Sequence, residues 1–222
     1  MIDLNSLTLY KEKINSYVDN LMPLPSPKDV LILNDELIDN YTGNGITPYG
    51  SVKIDENSIA SGFSNQNNYI LTSLNCLSLS DGFEFQVKAI PEYNGSIFCE
   101  STLGEDSSVC FYMSLVKNKT SVGSWYNGRH YYVSFSFGTI PENKMHYFRY
   151  KYLNNTMYFK LLDEDMNVLF EQSAPVTLHF RNREFMFGRN ADNYYQSPNM
   201  SIDLSETWFK DKDRNLISSW NK

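Results

Sequence analysis

The chain has 222 residues, of which 41% are hydrophobic, 15% aromatic and 20% charged, a composition too apolar for a disordered polymer and long enough to bury a core. With 19 Lys+Arg against 26 Asp+Glu the formal net charge is −7, so the positive footprint that a phosphate-backbone binder needs is missing and nucleic acid is not an expected partner. The most apolar stretch, at 30–33, falls far short of the roughly 20 residues that span a bilayer, and the start MIDLNSLTLYKEKINSYVDN has neither a cationic n-region nor a small-residue cleavage site. A soluble protein without a secretory signal and without a membrane span is the expectation.

The first predicted element is a helix. Leu7, Tyr10, Ile14, Tyr17 and Leu21 recur at spacings of 3, 4, 3 and 4, a heptad seam that leaves Lys11, Glu12, Lys13 and Asn15 outside it. Asn5 or Ser6 can cap its start. Pro23, Pro25 and Pro27 then end the helix and impose a short, stiff, extended linker. Residues 1–22 are therefore predicted as a helix of about four turns, 23–28 as the linker and 29–222 as the body. A helix this short is marginal alone in water, so its seam has to be buried, on its own domain or in self-association or docking to a larger assembly. The proline linker, which separates it from the body, favours the second.

From residue 30 onward Gly, Asn, Asp and Pro punctuate the chain about every ten residues, with alternating or continuous apolar runs between them, the pattern of an antiparallel sandwich. Strands are predicted at 30–33, 69–74, 83–90, 96–100, 109–116, 131–137, 147–153, 157–162, 168–172, 184–188, 201–210 and 216–220. Apolar and polar residues alternate at every step from Phe83 to Ala89, the mark of one buried and one wet face. The Asn-rich stretch at 153–157 and the acidic one at 163–167 read as hairpin turns. The fold class is all-β, an antiparallel β-sandwich preceded by a short N-terminal α-helix.

Three cysteines, Cys76, Cys99 and Cys110, are odd in number and form no C-x-x-C pair, so they read as buried thiols. His130, His146 and His179 stand apart from one another at no ligand spacing, and neither a metal nor another cofactor is expected. Two segments combine flat aromatic faces with amides and arginines, the mixture that sugar recognition uses. The first, turn-like, contributes Trp125, Tyr126, Asn127, Arg129 and Tyr131; the second, a polar loop at 189–196, contributes Arg189, Asn190, Asn193, Tyr194 and Tyr195. Tyrosine-rich loops also make protein–protein contacts, and aromatics also pack for purely structural reasons.

Three segments resemble the concanavalin A-like lectin and glucanase superfamily in the laminin-G-like form common in phage virion proteins. They are GFEFQVKA from Gly82 with Ser96-Ile97-Phe98, then HYFRYKYLNNTMYFKLLDEDMNVLFE at 146–171, and then Phe187-Gly188-Arg189-Asn190 followed by Ser201-Ile202-Asp203-Leu204 and Trp208-Phe209-Lys210. The leader also resembles a short helix found near the start of many phage tail and fibre proteins. Together these resemblances imply a jelly-roll appendage on a virion assembled in the host cytoplasm, contacting host surface glycan. Its helix would bind other virion proteins or gather a homo-oligomer, with a trimer favoured. Three other readings stay open: a purely structural decoration or adaptor protein, a polysaccharide-degrading enzyme, and a cellular lectin-like module from a bacterium. Glucanases of the superfamily carry two carboxylates on one strand as E-x-D-x-E or E-x-D-x-x-E, and no such string occurs; Asp163, Glu164 and Asp165 are consecutive and cannot share one strand face. The Arg, Gln, His and Tyr motifs of jelly-roll lyases find no match around Arg149, Tyr150 or His146, and no G-x-S-x-G elbow is present. A non-catalytic protein is expected. Calcium, which some such lectins hold, would sit near Asp192 or Asp203, although Asp203 is expected to face outward beside buried Ile202 and Leu204.

Overall fold

The computed structural model describes residues 38–39, 46–63, 67–90, 96–100, 111–116, 118–141, 143–188 and 200–221. All belong to the compact unit Ile32–Lys222. The expected helix at 1–22, the linker at 23–28, the strand at 30–33 and the loop at 189–196 lie outside the described residues, as do Cys110 and the side chain of Cys99.

The described strands are β1 (Ile38–Asp39), β2 (Thr47–Tyr49), β3 (Lys53–Ile54), β4 (Ile59–Ser61), β5 (Tyr69–Asn75), β6 (Phe83–Ile90), β7 (Ser96–Glu100), β8 (Phe111–Val116), β9 (Lys119–Tyr126), β10 (Arg129–Ser136), β11 (His146–Leu153), β12 (Thr156–Leu162), β13 (Val168–Pro175), β14 (Glu184–Phe187), β15 (Ser201–Asp211) and β16 (Leu216–Asn221). One 3-10 turn, Cys76–Leu79, follows β5, with the Asn75 side chain accepting from the Leu77 N–H. Among the described residues no helix is long and apolar enough to cross a membrane.

Every described pairing is antiparallel. A nine-stranded sheet runs β1-β16-β15-β6-β11-β12-β13, with β4 joined to β15 and β3 to β4. A seven-stranded sheet runs β10-β9-β8-β7-β14-β5-β2. Both bury one face in a single core, to which β6, β11, β12 and β15 contribute from the larger sheet and β5, β8, β9 and β14 from the smaller. The result is the two-layer antiparallel sandwich that the sequence pattern called for. Aromatic rings dominate its interior: Phe85 stacks on Phe209 at 4.1 Å between ring centres and meets Phe98, Phe185 and Tyr150 at 5.8 to 5.9 Å. A polar tie crosses the layers where Tyr150 on β11 reaches Thr120 on β9, hydroxyl to hydroxyl at 2.8 Å. Thr120 gives its own proton to the Ser114 carbonyl, so the phenol donates, and complete burial holds that phenol far above the usual tyrosine range.

The two turns read from the sequence are the hairpins β11–β12 and β12–β13. Asn154 and Asn155 take left-handed φ of 51° and 55°, which asparagine tolerates better than most residues. In the acidic turn the Asp163 carboxylate accepts from the Asn167 backbone and side-chain amides at 2.8 and 3.0 Å. The turn expected around Trp125 is there, two residues long at Asn127 and Gly128, but it is flanked by regular strand on both sides, and β9 is a strand beyond those the sequence predicts. Asp203 faces outward as expected, opposite Lys88 and away from Ile202 and Leu204, but it is covered there: its carboxylate bonds Lys88 at 3.0 Å and the Ser205 hydroxyl at 2.6 Å.

Candidate ligand-binding face

β9 and β10 form a hairpin closed by Asn127 and Gly128, whose φ of 48° and 71° are those of the two-residue turn that matches strand twist. Its register sets the site. Thr120, Val122 and Ser124 of β9 point into the core, so Ser121, Gly123 and Trp125 lie on the outer face of the seven-stranded sheet. Cross-strand pairing puts His130 opposite Trp125, Tyr132 opposite Gly123 and, from β8, Tyr112 on the other side of Gly123.

These rings form a pile with the imidazole in the middle. Trp125 stacks on His130 at 4.4 Å with planes 2° apart, and Tyr132 stacks on His130 at 4.5 Å with planes 16° apart. The Tyr112 hydroxyl lies 2.7 Å from His130 Nε2, which fixes the ring within the pile. Partial burial lowers the His130 pKa, so the neutral imidazole is the form the pile holds. Because the folded value lies below the unfolded one, this contribution is present above the ordinary histidine pKa and is lost as pH falls. Gly123 provides the room. A Cβ at that position would stand 2.7 Å from the Tyr131 carbonyl oxygen, 2.8 Å from Tyr132 Cβ and 2.9 Å from the Tyr112 hydroxyl, so any side chain there pushes both the β10 backbone and the flanking tyrosines away.

Trp125 remains 39% and Tyr132 57% exposed, so flat apolar surface faces solvent beside hydroxyl and imidazole groups. Tyr126 and Tyr131 lie on the opposite face of the hairpin. There Tyr126 stacks on His179 at 4.2 Å and Tyr131 meets the same ring edge to face at 5.0 Å. The expected set is therefore split: Trp125 belongs to the outer pile, Tyr126 and Tyr131 to the His179 cluster, and Asn127 and Arg129 to the exposed tip. Arg189, Asn190, Asn193, Tyr194 and Tyr195 lie outside the described residues. Tyr112, His130 and Tyr132 were not among the candidates, and only the register of three strands brings them to Trp125.

No protein-family model matches the sequence, and no curated protein matches it. Solved structures do resemble its fold. The receptor-binding domain of botulinum neurotoxin mosaic serotype C/D aligns at TM-score 0.55 and 10% identity over 80% of this chain and 45% of that one. The exoplasmic domain of VIP36, solved in its Ca2+- and mannose-bound form, aligns at TM-score 0.51 and 11% identity over 71% of this chain and 80% of that one. The binding domain of botulinum neurotoxin DC in complex with SialylT aligns at TM-score 0.50 and 9% identity over 76% and 46%. The chain thus spans less than half the length of the toxin domains it resembles and most of the VIP36 domain. At these identities the likeness is one of fold, a lectin-type β-sandwich.

Proposed function

We propose that the domain is a non-catalytic glycan-binding module and that the Trp125–His130–Tyr132 pile is its binding surface. The exposed pile, anchored by Tyr112 and given room by Gly123, carries this reading: it offers flat rings for the apolar face of a pyranose and hydroxyl, imidazole and tip amide groups for its hydroxyls. The mannose and SialylT bound by neighbours of the same fold support it. The test is a glycan array followed by titration of any hit. Trp125→Ala and Tyr132→Ala are each expected to weaken binding at least tenfold, about 1.4 kcal/mol. Tyr126→Ala, on the other face of the same hairpin, is expected to leave affinity within twofold, and the glycan is expected to come back at unchanged length. Silence across the array, or equal losses in all three variants, would overturn the assignment.

The setting we propose is a phage particle, where the seam of Leu7, Tyr10, Ile14, Tyr17 and Leu21 gathers copies so that weak sites act together. The phage-like leader and closing-strand pattern support it. Light scattering of the full chain is expected to give a trimer and the Ile14→Asp chain a monomer. If both are monomers, the seam does not join copies of this chain and docking to a different virion protein becomes the better reading.

A further inference from the structure

The outer face of the nine-stranded sheet, on the far side of the sandwich from the aromatic pile, is a lattice of charges on an otherwise acidic protein of net charge −7. Register lines its residues up in rows. Trp208, Gln86, Arg149 and Lys160 lie side by side across β15, β6, β11 and β12, and Lys210, Glu84, Lys151 and Tyr158 form the next row. Two of these four cations have a carboxylate, Lys151 bonding Glu84 at 2.9 Å and Lys160 bonding Glu171 at 3.1 Å, as does Lys88 on the same face, which bonds Asp203 at 3.0 Å.

Arg149 and Lys210 do not. Arg149 gives its Nε proton to Gln86 Oε1 at 2.6 Å, and Gln86 is itself held by the Glu206 carbonyl at 2.8 Å, so the guanidinium is oriented while its outer fork has no acceptor among the described residues. Lys210 is only 5% exposed and lies with Nζ 4.6 Å from the centre of the Trp208 ring; among the described residues no hydrogen-bond acceptor or carboxylate is in reach of it. Its ammonium nevertheless touches solvent, because Trp220 Nε1 is the one sealed, unpartnered side-chain polar atom among the described residues. Burial first, then the positive charges of Arg214 and Arg149, lower the Lys210 pKa, against the opposing pull of Glu84. Glu84, already taken by Lys151, and exposed Glu206 are the acidic groups near the pair. Covered cations with no carboxylate bonded to them, only more distant acidic groups, are costly to a fold, and such groups mark places where a ligand can supply the missing contact.

We infer that Arg149, Lys210 and Trp208 form a second site that takes the carboxylate of an acidic sugar. The planar fork of Arg149 suits a two-oxygen carboxylate, Lys210 adds the second charge, and Trp208 lies against Lys210 as a flat apolar surface. This inference does not rest on the pile of the other sheet, and the two fail separately.

The experiment titrates the full chain with tri-galacturonic acid, with neutral galactotriose, and with acetate and inorganic sulfate as free anions. The acidic trimer is expected to bind at least tenfold more tightly than galactotriose and than either free anion, with affinity falling as salt rises. Lys210→Met, which removes the ammonium beside Trp208, and Arg149→Gln are each expected to lose that preference, while Tyr126→Ala, stacked on His179 on the other sheet, keeps it. Without ligand, Lys210→Met is expected to melt no lower than the parent chain, because it removes a buried charge that no carboxylate bonds and leaves an apolar side chain beside Trp208. Equal affinity for the neutral trimer, binding unchanged by both variants, or a lowered melting temperature in Lys210→Met would each overturn the site. Tight binding of acetate or sulfate alone would reduce it to a simple anion site and overturn its assignment to sugar.

Discussion

Phe85→Ala is expected to lower the unfolding free energy by about 3–5 kcal/mol, the range for removing a large aromatic from a packed core. Phe85 sits on β6, the strand between β15 and β11, and is completely buried. Its ring touches both layers: Phe209 and Tyr150 belong to its own sheet, and Phe98, Phe185 and Phe187 to the other. Five rings around one side chain leave no flexible neighbour to fill the space, so the cavity stays open and the cost falls near the upper end of the range. Urea unfolding gives the measurement, with the midpoint falling and the slope unchanged. A loss below about 1.5 kcal/mol would mean that the two sheets close over the gap and that the interior is less rigid than its ring contacts imply.

Gly188→Ala is the second large effect. Gly188 follows β14 with φ of +84°, and a Cβ there would come within 2.1 Å of Cδ1 and 2.8 Å of Cε1 of Phe63. Phe63 is completely buried, so its ring has nowhere to go. The left-handed backbone costs an alanine about 1–2 kcal/mol, and overfilling a packed site adds about 1–3 kcal/mol, for a total of roughly 2–5 kcal/mol. Gly128→Ala is the control: φ is +71°, yet nothing lies within 4 Å of the added methyl. It should therefore show the backbone cost alone. Equal losses at the two positions, read from thermal or urea unfolding, would show that Phe63 does not confine position 188.

Legibility in the sequence followed the strength of local alternation. β6, β11 and β12 carry strict in-and-out patterns, and their expected bounds fall within one residue of those observed. β9 is not legible as a strand because its outward positions are Ser121, Gly123 and Trp125 and its inward ones include Thr120 and Ser124, a composition that reads as loop. The reason is physical: Gly123 is small because Tyr112 and Tyr132 need its space, and Ser124 accepts a hydrogen bond from the His179 N–H at 3.0 Å. β1 to β4 are only two or three residues long, too short for a period to show. At the candidate face, Trp125 could be found because aromatics beside an Asn-Gly turn stand out. Its companions Tyr112, His130 and Tyr132 could not, because proximity across three strands is a matter of register. For the same reason the covering of outward-facing Asp203 is not legible: nothing in Ser-Ile-Asp-Leu indicates that Lys88, more than a hundred residues earlier, will bond and neutralise it.

The central position of β6 has a consequence for the order in which the molecule comes together. One of its flanks is filled by β11 and the other by β15, which begins at Ser201, more than a hundred residues after β6 ends at Ile90. During synthesis the apolar row Phe83, Phe85, Val87 and Ala89 therefore emerges long before its second neighbour exists. Such long-range pairing makes the sandwich a slow folder, on the millisecond-to-second scale of high-contact-order β proteins. In that interval β6 is an open, apolar strand able to pair with another nascent chain. Yield on expression will be set by how well that interval is protected, by low temperature or by chaperones, more than by the stability of the finished fold.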